Sequence, residues 1–215
     1  MPTLVNFRAN IWALKEIGCT HVVVSTACGS LQEHIKPGDF VILDQFIDRT
    51  TKRQQTFYDA SEGHPPGILH LPMDTPFCSD TRQIILNTCN ELGYAVHSKG
   101  TVITVEGPRF SSKAESHMFR QWGGDVINMT TVPEVVLARE AGLFYAAIAM
   151  ATDYDCWREG EEPVTVERVM QTMKDNAERA TLLLKAVVAK IAEEDWSSRA
   201  EALKKSVEGN IMLPS

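Results

Sequence analysis

The sequence predicts one α/β domain, residues 1–215, built on a mixed, largely parallel central sheet flanked by helices. Three observations predict it. Short β-branched apolar runs alternate with segments of helical periodicity from end to end; those runs are apolar at consecutive positions, as strands covered on both faces must be; and no internal repeat or low-complexity linker divides the chain. A chain of 215 residues, 44% of them hydrophobic, can also bury one sizeable core.

Taken in order, Ile11, Leu14 and Ile17 have the spacing of one helix face over residues 10–17, with Gly18 placed for a left-handed cap. His21-Val22-Val23-Val24 reads as a buried central strand, and Phe40-Val41-Ile42-Leu43 repeats its signature after the Pro37-Gly38 turn. The polar stretch 48–76, with Pro65-Pro66-Gly67, reads as a loop or lid. Ser79 or Asp80 is expected to cap a helix over 83–92, with Ile84, Ile85 and Cys89 inward. Residues 101–105 form the next strand, 114–121 a helix stopped by Gly123-Gly124, and 126–129 a short strand. Thr131 can cap a helix over 132–141, because Pro133 is tolerated in a first turn. Residues 144–150 are the most apolar strand. A long amphipathic helix follows over 166–193 with Val169, Met173, Ala177, Leu184 and Val188 near one stripe, and residues 196–215 are helical and then extended.

Composition excludes several classes. With 21 Lys and Arg against 28 Asp and Glu the net charge is -7, and no basic block could neutralise a run of phosphates, so nucleic acid is not an expected partner. No apolar run reaches the roughly 18 to 20 residues that span a bilayer, and residues 1–8 lack a signal-peptide layout. Five cysteines without Cys-x-x-Cys spacing suggest free thiols in a reducing compartment, the cytosol or nucleus, and no zinc site. Six scattered histidines form no metal-ligating pattern, and the glycine motifs of hydrolases, dinucleotide-binding proteins and nucleotide triphosphatases are missing.

In a parallel sheet, ligands sit beyond the carboxyl ends of the strands, so the informative residues are those just after each strand. The hydroxyls of Ser25, Thr26 and Ser30, around Ala27-Cys28-Gly29, read either as a plain Ser/Thr turn or as an oxyanion cradle. Met129-Thr130-Thr131 offers a second hydroxyl pair at a helix start, where an ordinary N-cap is the simpler reading and convergence with Thr26 on one anion the sharper one. Glu106 and Arg109 flank Gly107-Pro108 in what is either a solvated turn or a site edge. Asp153 and Asp155, two residues apart at the end of the most apolar strand, either cap backbone N–H groups or form a close pair in which one carboxyl keeps its proton for a leaving group.

Five blocks together, 9–14, 26–31, 105–110, 127–134 and 151–157, closely resemble the trimeric purine nucleoside phosphorylase family, and within it the branch that acts on 5'-methylthioadenosine. The resemblance covers practically the whole chain in order. It implies a purine nucleoside phosphorylase-like fold and phosphorolysis of 5'-methylthioadenosine to adenine and 5-methylthioribose 1-phosphate, in purine and methionine salvage. It implies phosphate held by Thr26, Ala27 and Thr130, Met129 over the ribose, and Phe110 on the base or sugar. Asp153 would protonate purine N7, and Asp155 would accept from the 6-amino group. No metal or organic cofactor is implied; phosphate is a co-substrate, and a homotrimer is the expected assembly. Relatives acting on 6-oxopurines carry Asn where Asp153 stands, and a His near the sugar 5'-hydroxyl where this chain has Val164, Val166 and Val169, an apolar wall suited to a thioether methyl. Ser111 is a further position at which the branches differ.

The family also has a Gly-rich phosphate turn and an Arg-His-Gly segment, both of which would lie upstream of Met1, so the resemblance implies an N-terminally truncated chain. Two alternatives remain open at this point: a catalytically impaired fragment that only occupies a subunit position in a trimer, and a 6-oxopurine nucleoside phosphorylase.

Overall fold

The structure is a computed structural model that describes residues 1–160 and 165–213. Numbered along the chain, the strands are β1 (His21–Ser30), β2 (Phe40–Ile42), β3 (Gln45–Arg49), β4 (Ile68–Leu69), β5 (Val96–His97), β6 (Thr101–Val105), β7 (Val126–Asn128), β8 (Phe144–Asp153) and β9 (Ile211–Met212). Seven of them form one sheet in the order β3-β6-β7-β1-β8-β2-β5. Its pairings are parallel except β1 with β7 and β2 with β8, so the sheet is mixed and largely parallel, as predicted.

β8 explains the sandwich. Tyr145, Ala147, Ala149 and Ala151 face a core shared with Phe7 and Ile11 of α1 (Phe7–Glu16) and Val135, Leu137 and Ala138 of α4 (Thr131–Glu140). The alternate residues Ala146, Ile148 and Met150 face Ile84, Ile85 and Cys89 of α2 (Ser79–Glu91) and Ala180, Leu183 and Val187 of α5 (Val166–Ala192). Period-two alternation into two cores is why this strand reads as unbroken apolar sequence. A third cluster, Leu31, Ile103, Phe119, Ile127 and Trp157, packs under α3 (Lys113–Gln121). The last helix is α6 (Ser197–Glu208), and among the described residues no helix is long and apolar enough to cross a membrane.

Several expectations shift. β1 and β8 run on to Ser30 and Asp153, in parallel register from His21 with Phe144 to Cys28 with Ala151, because the small residues of one strand are paired by the other. Neither Ser79 nor Asp80 caps α2: Cys78 stands at its N-cap without accepting a capping bond from a backbone amide, and both lie in the first turn. Thr131 does not cap α4 either. Its Oγ1 accepts from Asn128 Nδ2 at 2.7 Å, and Val132 (φ -101°, ψ 129°) keeps the chain extended until Pro133 starts the turn. Ile17 lies beyond α1 and is exposed, and the buried stripe of α5 runs through Asn176, Ala180, Leu183 and Val187, rotated away from Ala177 and Val188, which face solvent.

The polar stretch 48–76 is knit to the body. Asp48 accepts from Thr50 and Gln55, Glu140 accepts from the Phe57 amide at 2.8 Å, and Phe57 joins the α1–α4 core. β4 pairs antiparallel with β9, Ile68 opposite Met212 and Leu69 opposite Ile211. The preceding Gly67 has φ 88°, and a Cβ there would sit 2.5 Å from the Met212 carbonyl oxygen, so only glycine fits.

Candidate active site

The ends of β1, β7 and β8 and the turn after β6 open into one cavity of about 470 Å³. At one end lie hydroxyls. Thr26 Oγ1, buried on β1, is 2.9 Å from Thr130 Oγ1, and Asn128 Nδ2 donates to Thr26 Oγ1 at 3.1 Å. Asn128 Oδ1 accepts from Thr104 Oγ1 at 3.0 Å, so a side-chain network that begins in the sheet ends at the cavity wall. Ser25 and Ala27 line the same end. Thr26, Thr130 and Asn128 present hydrogen-bond donors, which suits an oxyanion.

At the other end lie two buried carboxylates. Asp153 Oδ2 accepts from Thr152 Oγ1 at 2.6 Å and Oδ1 from the Asp155 amide at 2.7 Å. Asp155 takes φ 49°, the left-handed region that Asp tolerates better than most residues. Gly29 opposes them: a Cβ there would meet Asp153 Oδ1 at 3.1 Å, so the glycine lets β1 approach the carboxylate. Burial first, and the Asp153 charge after it, push the Asp155 pKa above the usual carboxylate range. The Ser111 and Ser116 hydroxyls face Asp155 and offset part of that rise, although neither makes a hydrogen bond of ordinary geometry. Cys156 lies beside them; burial and Asp155 push its thiol up to about 11, and Sγ donates to the Ser111 carbonyl at 3.2 Å.

Between the two ends, Met129 lies against Gly107, whose missing Cβ would sit 2.4 Å from Sδ, and Phe110, 40% exposed, forms a side wall. Val169 and Met173 of α5 also line the cavity. The arrangement can hold an anion at one end and a group rich in N–H donors at the other, with an apolar body between.

The family model described as "Phosphorylase superfamily" matches residues 2–189. The chain belongs to the phosphorylase superfamily. Its relatives include an S-methyl-5'-thioadenosine phosphorylase of Aedes aegypti, 64% identical over 215 residues, and one of Danio rerio, 62% identical over 214; the chain spans 77% and 76% of their lengths. Among solved structures, a mutant adenosine/methylthioadenosine phosphorylase of Schistosoma mansoni in complex with adenine matches with a TM-score of 0.96 at 44% identity, over 98% of this chain and 80% of that one. Another mutant of that enzyme, in complex with methylthioadenosine, matches with a TM-score of 0.94 at 43% identity, over 98% and 78%.

The fold predicted from the phosphorylase resemblance is thus the fold observed. Of the predicted site residues, Thr26, Ala27, Phe110, Ser111, Met129, Thr130, Asp153 and Asp155 all line the one cavity. Val166 does not: it lies in the first turn of α5, 68% exposed, and the residues that α5 gives the cavity are Val169 and Met173. Val164 lies outside the described residues. Arg109 also stands apart, exposed and forked onto Glu115 at 2.6 and 2.7 Å, where it closes a Ser112–Glu115 capping box on α3. The Ser-x-x-Glu spacing carries that box in the sequence. Sequence reasoning missed Asn128 as the hub of the hydroxyl network, for which a lone amide ending an apolar run was the available signal. It also missed Glu134, which lines the cavity and accepts from Tyr145 Oη at 2.8 Å, and Gly29; neither has a sequence signal apart from the fold.

Proposed function

We propose that this protein phosphorolyses 5'-methylthioadenosine to adenine and 5-methylthioribose 1-phosphate, a step of purine and methionine salvage. The observation that carries the reading is the polarity of one cavity: threonine hydroxyls at one end, paired buried carboxylates at the other. Phosphate binds at Thr26, Ala27 and Thr130, with one oxygen facing the anomeric carbon. As the bond from that carbon to N9 breaks, its electron pair stays with the purine, the Asp153 carboxyl, which enters the step protonated, gives its proton to N7 and is left as a carboxylate, and the phosphate oxygen forms the new bond. A neutral leaving base contributes typically 10²- to 10⁴-fold, the range of general acid catalysis.

Asp155 accepts from the 6-amino group. This carboxylate pair favours adenine over a 6-oxopurine, because a 6-oxo group needs a donor. Met129 covers the ribose, Phe110 packs on the base or sugar, Ser111 tunes base recognition, and Val169 with Met173 gives a thioether an apolar contact. All the chemistry lies in side chains and phosphate, so the reaction proceeds without a metal or organic cofactor. The same reading makes the active assembly a homotrimer in the cytoplasm and nucleus, in keeping with five free cysteines. The test is phosphorolysis of methylthioadenosine and inosine at equal concentration, with phosphate present and omitted. Phosphate-dependent release of adenine, faster than that of hypoxanthine, is expected; faster release from inosine would refute the assignment.

A further inference from the structure

Arg53 lies outside the cavity lining, in the segment after β3, and its side chain is 0% exposed. A guanidinium taken fully out of water persists only where its donors find good partners. Here the two terminal nitrogens find backbone, while Nε makes no hydrogen bond. Nη1 donates to the Val132 carbonyl at 2.7 Å, and Nη2 to the Glu106 carbonyl at 2.9 Å and the Val105 carbonyl at 3.3 Å. The Glu106 carboxylate stands 3.6 Å from Nε, too far for a hydrogen bond but close enough to balance the charge. That carboxylate is itself fixed by the Thr51 and Lys52 amides, at 2.6 and 3.1 Å, and by the Thr3 hydroxyl at 2.5 Å. The Phe7 ring lies 5.3 Å from the guanidinium carbon.

The three carbonyls belong to two segments that carry the cavity walls. Val105 and Glu106 end β6 and lead through Gly107 to Phe110 and Ser111; Val132 follows Met129, Thr130 and Thr131. Inside the cavity the two segments touch where Met129 packs on Gly107, and outside it they are joined by Arg53. We propose that Arg53 is a positioning residue: its fork ties the segment that carries Phe110 and Ser111 to the segment that carries Met129 and Thr130, and so sets the spacing between the base-side and phosphate-side contacts. A planar guanidinium can serve three carbonyls from fixed directions, whereas an ammonium on the same stem cannot reach both sides in that geometry. The inference rests on the phosphorolysis reading given above.

The test uses the full chain with Arg53→Lys and Arg53→Ala. Displacing a reacting partner by about 1 Å can cost on the order of 10²-fold, so Arg53→Lys should stay folded by circular dichroism and lose on that order in kcat/KM for methylthioadenosine, mostly in kcat. Millimolar guanidinium should restore part of the activity of Arg53→Ala per folded molecule, and methylammonium should not. Arg53→Lys within about twofold of wild type, or losses that only track the unfolded fraction with no guanidinium rescue, would overturn the inference. Direct titration of adenine in the presence of phosphate separates the two failures. A wild-type protein that binds adenine but does not cleave methylthioadenosine removes the reading of function, while a wild-type protein that does cleave it, beside an Arg53→Lys variant with wild-type kcat, removes the role of Arg53 alone.

Discussion

The two ends of the cavity hold their polar groups by different means. At the carboxylate end the backbone does most of the fixing: Asp153 is held by the amide two residues on, with its neighbour's hydroxyl as a side-chain partner, Asp155 sits in a left-handed conformation, and Gly29 leaves Asp153 Oδ1 no slack. At the hydroxyl end the groups hold one another through side chains, Thr104 to Asn128 to Thr26, with Thr130 alongside. Hydroxyl hydrogens rotate at little cost, whereas a carboxylate aimed by backbone bonds does not turn. One end can therefore select among ligands by their donor pattern, and the other can adapt to a symmetric anion.

The largest effect expected to sharpen this contrast is at the rigid end. Asp153→Asn keeps the shape and removes the acid, and should lower methylthioadenosine turnover by about 10²-fold or more, with 6-oxopurine substrates suffering less. Equal losses on both substrates would mean that Asp153 does not read the 6-position. At the adaptable end, Thr26→Val and Thr130→Val should each raise the KM for phosphate by about tenfold, the equivalent of one charge-assisted hydrogen bond, while leaving adenine affinity nearly unchanged. The double variant should lose less than the product of the two, since the hydroxyls are partners; strict additivity would show two independent sites. Gly29→Ala should cost about 1 to 3 kcal/mol of stability by overpacking and impair turnover more than phosphate binding, which thermal melts and kinetics would separate.

A smaller effect is expected with pH. Burial would raise the pKa of Glu106, but bonds from Thr3, Thr51 and Lys52 and the charge of Arg53 bring it down to about 2. A depressed carboxyl contributes its stability above its unfolded value of roughly 4.3 and loses it as pH falls from there toward 2. Melting temperature should therefore fall more steeply below about pH 4.5 in wild type than in Glu106→Gln; parallel curves would show that Glu106 bears none of the charge balance. The smallest effect is at Val166, where Ala should leave substrate discrimination within about 0.5 kcal/mol, as at other exposed positions. A clear loss of preference for the thioether there would place the first turn of α5 in the site after all.

What is legible in the sequence follows the same division. The positions that meet at the cavity lie just past strand ends, and the rule that ligands bind there needs only strand locations, so local patterns locate Thr26, Met129, Thr130, Asp153 and Asp155, and the family resemblance gives them roles. Val166 is misplaced by sequence reasoning because a helix's rotation is decided by what packs on it: Ala180, Leu183 and Val187 are the residues that α5 turns toward the sheet, with Asn176 buried on the same stripe. Arg53 and Gly29 cannot be read as site residues, because each matters through a contact with residues at least 50 positions away. β3 is hidden at the edge of a polar stretch, since its pairing with β6 reaches more than 50 residues ahead.

The ribbon of β4 and β9 bears on the order in which the molecule assembles. Leu69 is paired by Ile211, and the His70 amide by the Asn210 carbonyl at 3.1 Å, so the closing of this ribbon joins positions about 140 residues apart. During synthesis the strand at 68–69 emerges long before its partner and waits unpaired while β5 to β8 and the long α5 are made. Loop closure over so many residues is entropically slow, and the ribbon is among the last contacts to form and the first to open. A protease added to nascent or freshly diluted chains should thus cut near Gly67 well after the central sheet has become resistant.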